Sequence, residues 1–315
     1  MHISINKGEI MKYIYGPVPS RRLGISLGVS PIPKKTCNYS CVYCQLGRTD
    51  KMTNTRKMFF NVKDIISEFE SILKKEIYFD VITIVGEGEP TLYLGLGELI
   101  LEIKKRTEKT IAVITNGALL YDPLVRKELG YADIVLPTLD AYDESSFKTI
   151  NRPIGNLTFN QVLTGLQIFS KEYNGLLWLE MMFIKGVNDD LDSLNKYIDI
   201  LKEIKYDKLY LNTPVRPPAE RYIKQVDRAK MLQIVKMLNG ISIDLLDSEG
   251  FYSNISNHYE AILSIIKRHP MNQYEISSFL KSRKCTNINE IISLLKTDSL
   301  VDVISYKGYN TFRLK

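Results

Sequence analysis
The sequence predicts an α/β fold: a parallel sheet of six strand–helix units, followed by a small helical segment that ends in a hairpin. Three observations carry that expectation. Short Val/Ile/Leu-rich runs alternate with longer segments of helical period, the order of a parallel sheet with right-handed crossovers. The short runs are apolar throughout, as strands buried on both faces must be. With 44% hydrophobic residues in a chain of 315, there is enough apolar surface for one large core or two unequal ones.

Strands are expected near 25–32, 80–85, 110–115, 133–138, 176–184 and 208–212. Helices are expected near 62–75, 96–107, 123–130, 158–172, 190–205 and 223–239. In VKDIISEFESILKK, Ile65, Ile66, Phe69, Ile72 and Leu73 form one apolar stripe with Lys and Glu opposite. Periodicity alone leaves open whether the units form a doubly wound sheet or a partial barrel. After about residue 250 the pattern changes. YEAILSIIKRHP, NQYEISSFLKS and NINEIISLLKTD read as three helices, the first ended by Pro270 and the second preceded by Asn272. LVDVISYKGYNTFRLK reads as two strands around Lys307-Gly308. This is the order of a winged helix. It places a second domain at 256–315 after a main domain at 1–250, with DSEGFYSNIS as the linker. The alternative is that these helices cap the main domain.

Of the net charge of +6, residues 251–315 carry +4. A mildly basic C-terminal segment suits a polyanionic partner, and equally an ordinary solvated surface. No apolar run reaches the roughly 18 residues of a membrane span. MHISINKGEIMKY lacks the apolar core and small-residue cleavage site of a signal peptide. A cytoplasmic protein with no membrane contact is expected. No GxSxG, Walker loop or HExxH motif occurs.

The peptides CNYSCVYCQLG, GEGEPT, NGALL, LDAYDESSFKTINRP, KGVNDD and TPVRPPAE follow strands one to six in turn. Active sites form at that end of the strands in barrels and open α/β sheets alike. The first peptide holds Cys37, Cys41 and Cys44 within eight positions, spaced Cys-x3-Cys-x2-Cys. Four cysteines so unevenly placed make a poor disulfide framework and point to metal or redox chemistry. Structural zinc takes four protein ligands, yet only Cys285 remains, and His2, His258 and His269 are also remote in sequence. Three ligands suit a catalytic zinc in number, but such sites favour His and carboxylate. A [4Fe–4S] cluster takes four thiolates. With three, one iron stays open to a substrate or cofactor.

This spacing, with Tyr43 before the last cysteine, resembles the signature of the radical S-adenosylmethionine (radical SAM) superfamily. The resemblance implies that Cys37, Cys41 and Cys44 hold a [4Fe–4S] cluster and that S-adenosylmethionine occupies its open iron. One-electron reduction then yields a 5′-deoxyadenosyl radical that abstracts hydrogen from substrate. GEGEP, with Gly86, Glu87, Gly88 and Glu89, resembles the family's glycine–glutamate motif, which meets the amino group of the methionyl moiety. Glycine admits close backbone approach, and a carboxylate accepts from an ammonium. TNG, with Asn116, and LDA, with Asp140, resemble family positions near the ribose and methionine. Either residue is also suited to cap a helix. The implied fold is a partial (β/α)6 TIM-type barrel. The implied electron partner is a reductant such as flavodoxin or ferredoxin.

YGPVPSRRLGISLGV, INRP, FIKGVND and TPVRPPAE resemble the branch of the superfamily related to wyosine-base synthetases, which build a tricyclic guanine base in tRNA. Those enzymes are expected to hold a second cluster on further N-terminal cysteines, and no cysteine precedes Cys37 here. The resemblance therefore gives a branch and argues against that reaction. Arg21, Arg22, Arg152 and Arg216 are candidates for gripping an anionic substrate, with structural salt bridges as the competing role. Lys185 suits an ion pair or an amine nucleophile. NDD offers paired carboxylates or a turn that caps the next helix. The tail could contact nucleic acid through Lys281, Arg283 and Lys284. It could instead grip a peptide or protein substrate, or shield an incomplete barrel. Lone Cys285 reads as incidental. The expected function is radical SAM modification of a macromolecule, tRNA ahead of a peptide or protein. A non-enzymatic iron–sulfur DNA-binding regulator is the remaining alternative.

Overall fold
The computed structural model describes residues 12–243, 251, 253, 255–267, 269–306 and 308–315. Strand β1 (Ile14–Ser20) runs antiparallel to β2 (Gly24–Val29), and the short strands β3 (Thr36–Cys37) and β4 (Lys51–Met52) frame the cysteine loop. Helix α1 (Val62–Leu73) opens the alternation. It continues through β5 (Val81–Ile84), α2 (Leu96–Lys104), β6 (Thr110–Thr115), α3 (Pro123–Leu129) and β7 (Ile134–Pro137). Next come α4 (Glu144–Ile150), α5 (Phe159–Glu172), β8 (Leu176–Met182), α6 (Leu191–Leu201), β9 (Lys208–Asn212), α7 (Arg228–Leu238) and β10 (Ile241–Ser242).

The main sheet has the order β1-β2-β5-β6-β7-β8-β9-β10. Every pair from β2 onward is parallel. Among the described residues β1 and β10 are its two edges, so the sheet is an open, partial barrel. Three elements differ from expectation. β1 precedes the first expected strand and adds an antiparallel edge to it. β10 extends the sheet beyond the sixth. α4 stands in the peptide read as a polar loop, held by a capping box between Asp143 and Ser146.

Each strand splits its side chains between two apolar layers, which is why the strands read as continuous apolar runs. Ile82, Val113, Val135, Leu179 and Leu211 face the helices. Val81, Ala112, Ile134, Trp178 and Tyr210 form a separate inner cluster. Two residues further along, the same inner rows turn polar at Thr83, Glu180 and Asn212, and four residues along at Thr138. The inside of the barrel is thus dry at one end and polar at the carboxyl ends of the strands.

The C-terminal residues form α8 (His258–Ile266), β11 (Met271–Asn272), α9 (Gln273–Ser282), α10 (Ile288–Thr297), β12 (Val301–Tyr306) and β13 (Tyr309–Leu314). The three strands pair in the order β11-β13-β12. They enclose their own core, which includes Ile262, Ile266, Ile276, Phe279, Leu295 and Phe312. Asn272 Oδ1 caps α9 by accepting from Glu275 N–H at 3.0 Å, and the Glu275 carboxylate accepts from Asn272 N–H at 2.7 Å, a reciprocal capping box. The linker expected at 247–256 lies largely outside the described residues, as do Lys307 at the hairpin turn and residues 1–11. Among the described residues, no helix is long and apolar enough to cross a membrane.

Candidate active site
One cavity of about 460 Å³ lies at the carboxyl ends of the strands. Cys37, Cys41, Tyr43 and Cys44 line it, as do Gly86 to Glu89 and Asn116. The structure therefore brings three of the sequence-derived peptides to one wall. None of the cysteines is in a disulfide.

The wall is held by its backbone. Lys35 N–H donates to the Glu87 carbonyl at 2.5 Å, and Glu89 N–H donates to the Thr36 carbonyl at 3.0 Å. This stitches the GEGEP turn to the two residues before Cys37. Gly88 is needed there for contact with protein: a Cβ on it would stand 1.9 Å from the Thr36 carbonyl oxygen. Gly88→Ala is expected to cost about 2 kcal/mol or more of folding stability and to lower the iron content after reconstitution. Denaturant unfolding and an iron assay check the two effects.

Glu89 is buried, and its carboxylate is fully used. Oε1 accepts from Thr91 N–H at 2.9 Å and from the Thr91 and Thr115 hydroxyls at 2.6 Å each, while Oε2 accepts from Asn116 N–H at 2.7 Å. Burial pushes its pKa up, and these donors pull it back. Asn116 donates its amide to Asn38 Oδ1 at 2.7 Å and lies 3.6 Å from Cys37 Sγ.

Asp140 is the second node. It accepts from the Tyr43 hydroxyl, from Asn151 Nδ2 at 3.0 Å and from Met182 N–H at 2.9 Å. It ties the loop after β7 to the cysteine loop and to the end of β8. Burial raises its pKa as well, against the pull of Tyr43 and Asn151. Asn151 also points its amide at Cys41 Sγ, 3.6 Å away. Sequence reading passed over Asn151 and took its neighbour Arg152 from INRP.

Burial raises all three thiol pKa values, that of Cys37 to about 12. At Cys44 the Leu46 N–H, Arg313 and Lys35 oppose the rise. Arg313 comes from β13, and its guanidinium also donates to the Gln45 carbonyl at 3.2 Å. The C-terminal hairpin therefore reaches the cysteine loop.

The arginines separate in role. Arg22 is mostly buried and pairs with Glu180 in the inner wall of the cavity, and burial lowers its pKa to about 10. Arg152 and Arg48 clamp Glu220, with Arg48 bonds of 2.9 and 3.0 Å. Arg152 is absent from the cavity lining. Arg216 does line it. It donates to the Pro270 carbonyl and sits 2.7 Å from His269 Nε2 and 3.4 Å from Glu275. Lys185 pairs with Asp227 at 2.6 Å outside the cavity. In NDD, Asn188 is buried and bonds backbone, and Asp190 caps α6. Cys285 bonds Asn287 in the C-terminal module. Arg283 is spent on the carbonyls of Ser253 and Ile255, whereas Lys281 and Lys284 are exposed.

The two guanidiniums hold Glu220 down at about 2. Its unfolded value is about 4.3, so the stabilisation is full above that pH and is lost as pH falls through about 2. Glu220→Gln is expected to lower stability by about 1 kcal/mol at neutral pH. The gap from wild type should shrink between about pH 5 and pH 2, as followed by denaturant titrations.

The donor set fits a thiolate-held cluster. Three thiols share one wall, and amides face two of the sulfurs, as outer-sphere donors do around metal thiolates. The Tyr39 hydroxyl, also in that wall, is buried with no hydrogen-bond partner among the described residues. No three His, Cys, Asp or Glu side chains among the described residues converge to hold a single metal ion.

Comparison with known proteins agrees. The family model of the Radical SAM superfamily matches residues 32–198, more than half of the chain. A UPF0026 protein of Methanocaldococcus jannaschii is 36% identical over 310 residues, covering 95% of this chain and 94% of that one. A protein named GTPase Obg from Brachyspira hyodysenteriae is 40% identical over 220 residues, or 70% of this chain. The match spans only 32% of that protein's length. A solved radical SAM methyltransferase from Sphaerobacter thermophilus is similar in fold, with a TM-score of 0.54 at 14% identity over 70% of this chain and 68% of that one. The chain is a radical SAM enzyme, of a family whose cofactors are S-adenosylmethionine and a [4Fe–4S] cluster, and it belongs to the radical SAM superfamily and within it to the UPF0026 proteins.

Proposed function
We propose that Cys37, Cys41 and Cys44 ligate the cluster and leave its open iron toward the cavity, and that the enzyme modifies RNA, with tRNA favoured. The observation that carries the site is the shared wall: three thiols, the GEGEP turn and Asn116 line one cavity. When bound, the cluster and S-adenosylmethionine supply one-electron cleavage of the sulfonium and a 5′-deoxyadenosyl radical that takes hydrogen from substrate.

The chain's own residues hold that chemistry in place. Asn116 and Asn151 offer N–H donors to the Cys37 and Cys41 sulfurs, which favours the reduced, more negative state. Glu89 and Asp140 fix the loops on either side of the cysteines. Glu87 and Glu89 are the carboxylates of this wall that would suit a cationic methionyl group. Asn116 remains our candidate near the ribose. Asp140, with three protein donors already on its carboxylate, acts in this reading by positioning Tyr43.

The RNA reading is supported by the resemblance to the wyosine branch and by the excess of positive charge in residues 251–315. We read 256–315 as a winged-helix-like module, supported by its three helices, its β11-β13-β12 sheet and its own core. A cytoplasmic location follows from thiols that require a reducing compartment. A flavodoxin or ferredoxin is the reductant we assign. The test is anaerobic pull-down with the reconstituted enzyme, followed by sequencing of bound RNA and mass spectrometry of bound peptide. Enrichment of a defined RNA class is expected. Enrichment of one peptide family without RNA would overturn the RNA reading.

A further inference from the structure
A second cavity, of about 220 Å³, lies where the loop after β9 meets the C-terminal module. Its lining includes Arg21, Arg216, Glu275, Asn272, Tyr309 and Thr311, with Gln225 beside them. Arg21, Val215 and Arg216 also line the main cavity, so the two spaces meet at these residues.

The charges at this seam do not balance. Arg22 is taken by Glu180. Arg216 is shared between the Pro270 carbonyl, His269 and Glu275, the last at 3.4 Å. Glu275 is committed at shorter range to the α9 cap, accepting from Asn272 N–H at 2.7 Å. Arg21 is half-buried, and among the described residues its guanidinium has no hydrogen bond or ion pair. It lies close enough to Arg216, Arg22 and His269 to disfavour positive charge on each. Among the described residues Glu275 sets one negative charge against the guanidiniums of Arg21 and Arg216, and an anion joining them offsets the positive charge that is left. A guanidinium fork matches phosphate oxygens in a plane. Gln225, Asn272, Tyr309 and Thr311 add neutral hydrogen-bonding groups around the same space.

We infer that this seam binds a phosphate group of the substrate, with Arg21 as the principal contact and Arg216 as the second. The inference rests on the proposed reading of the main cavity as the reaction site, because it sets the substrate's anionic group beside that cavity. It also makes the C-terminal module part of substrate recognition, since Asn272, Tyr309 and Thr311 belong to it.

The test uses the full-length, anaerobically reconstituted enzyme, with inorganic phosphate as the first probe and chloride at equal ionic strength as the control. Phosphate should raise the melting temperature of the wild type saturably. Arg21→Gln should weaken that response by about tenfold or more, and Arg21→Lys should retain part of it. Without phosphate, Arg21→Gln should melt no lower than wild type, because it removes repulsion with Arg216. A wild type indifferent to phosphate, an Arg21→Gln variant that responds normally, or one that melts early without phosphate would each overturn the inference. So would a loss confined to S-adenosylmethionine binding, which would assign Arg21 to the cofactor carboxylate. Bulk tRNA and a nucleoside monophosphate distinguish the source. Arg21-dependent binding of either upholds the seam, and preference for the monophosphate would remove the RNA reading alone. Cluster content and 5′-deoxyadenosine formation, measured on the same samples, report separately on the main cavity.

Discussion

Cys41→Ala should leave the anaerobically reconstituted protein without the broad visible absorption of an iron–sulfur cluster, and without 5′-deoxyadenosine on reduction in the presence of S-adenosylmethionine. The fold should survive, because the thiol is one small group in a loop held by other bonds. Asp140 still takes the Tyr43 hydroxyl, Val42 N–H still donates to the Ile150 carbonyl at 2.9 Å, and Glu220 N–H still donates to the Val42 carbonyl at 3.1 Å. Two thiolates cannot replace three around a cube of irons, so the loss should be close to complete. Cys285→Ala is the matched control. That thiol sits in the C-terminal module beside Asn287, and its removal should leave iron content unchanged. Iron and sulfide assays with far-UV circular dichroism check both variants. Full iron in Cys41→Ala would remove that residue from the ligand set.

The second large effect is expected at Glu89. Both carboxylate oxygens face donors: three on Oε1 and the Asn116 N–H on Oε2. A glutamine can offer only one acceptor there. Whichever way the amide turns, its NH2 group meets an N–H that it cannot pair with. An unsatisfied buried donor costs about 1 to 3 kcal/mol, so Glu89→Gln should lose about 2 to 3 kcal/mol in denaturant unfolding. It should also weaken S-adenosylmethionine binding, because the Asn116 backbone loses its tether. A change within about 0.5 kcal/mol, the range of a plain surface substitution, would mean that Glu89 does not hold this wall.

These two residues mark how far the sequence could be read. The three cysteines were legible as a group from their short spacing, and all three line one cavity. Glu89 was legible as part of a motif, but a motif does not reveal how many protein donors its carboxylate already serves. Asp140 posed the same difficulty, since its partners Tyr43, Asn151 and Met182 come from three separate segments. Asn151 left no signal of its own, because an asparagine beside an arginine and a proline looks like any turn.

The fold divides in the same way. The six parallel strands were visible because both faces are buried, which leaves apolar runs with little alternation. β1 was missed because IYGPVPS carries a glycine and two prolines, residues depleted from strands and tolerated at an edge. α4 was missed because ESSFKTI is short and polar, and a capping box holds its start where a broad apolar stripe would otherwise be expected. The seam between Arg21 and Arg216 is a product of tertiary folding. Its two arginines lie far apart in the sequence, and Asn272 and Tyr309 lie further along still.

The most direct test of the central claim is electron paramagnetic resonance of the reduced, reconstituted enzyme with and without S-adenosylmethionine, alongside iron analysis. The expected result is about four iron per chain, as a [4Fe–4S] cluster requires. Its reduced-state signal should shift when S-adenosylmethionine is added, because the proposed three-cysteine ligand set leaves one iron for the cofactor. A reconstituted protein with no such cluster, or a cluster whose signal is unchanged by saturating S-adenosylmethionine, would contradict it.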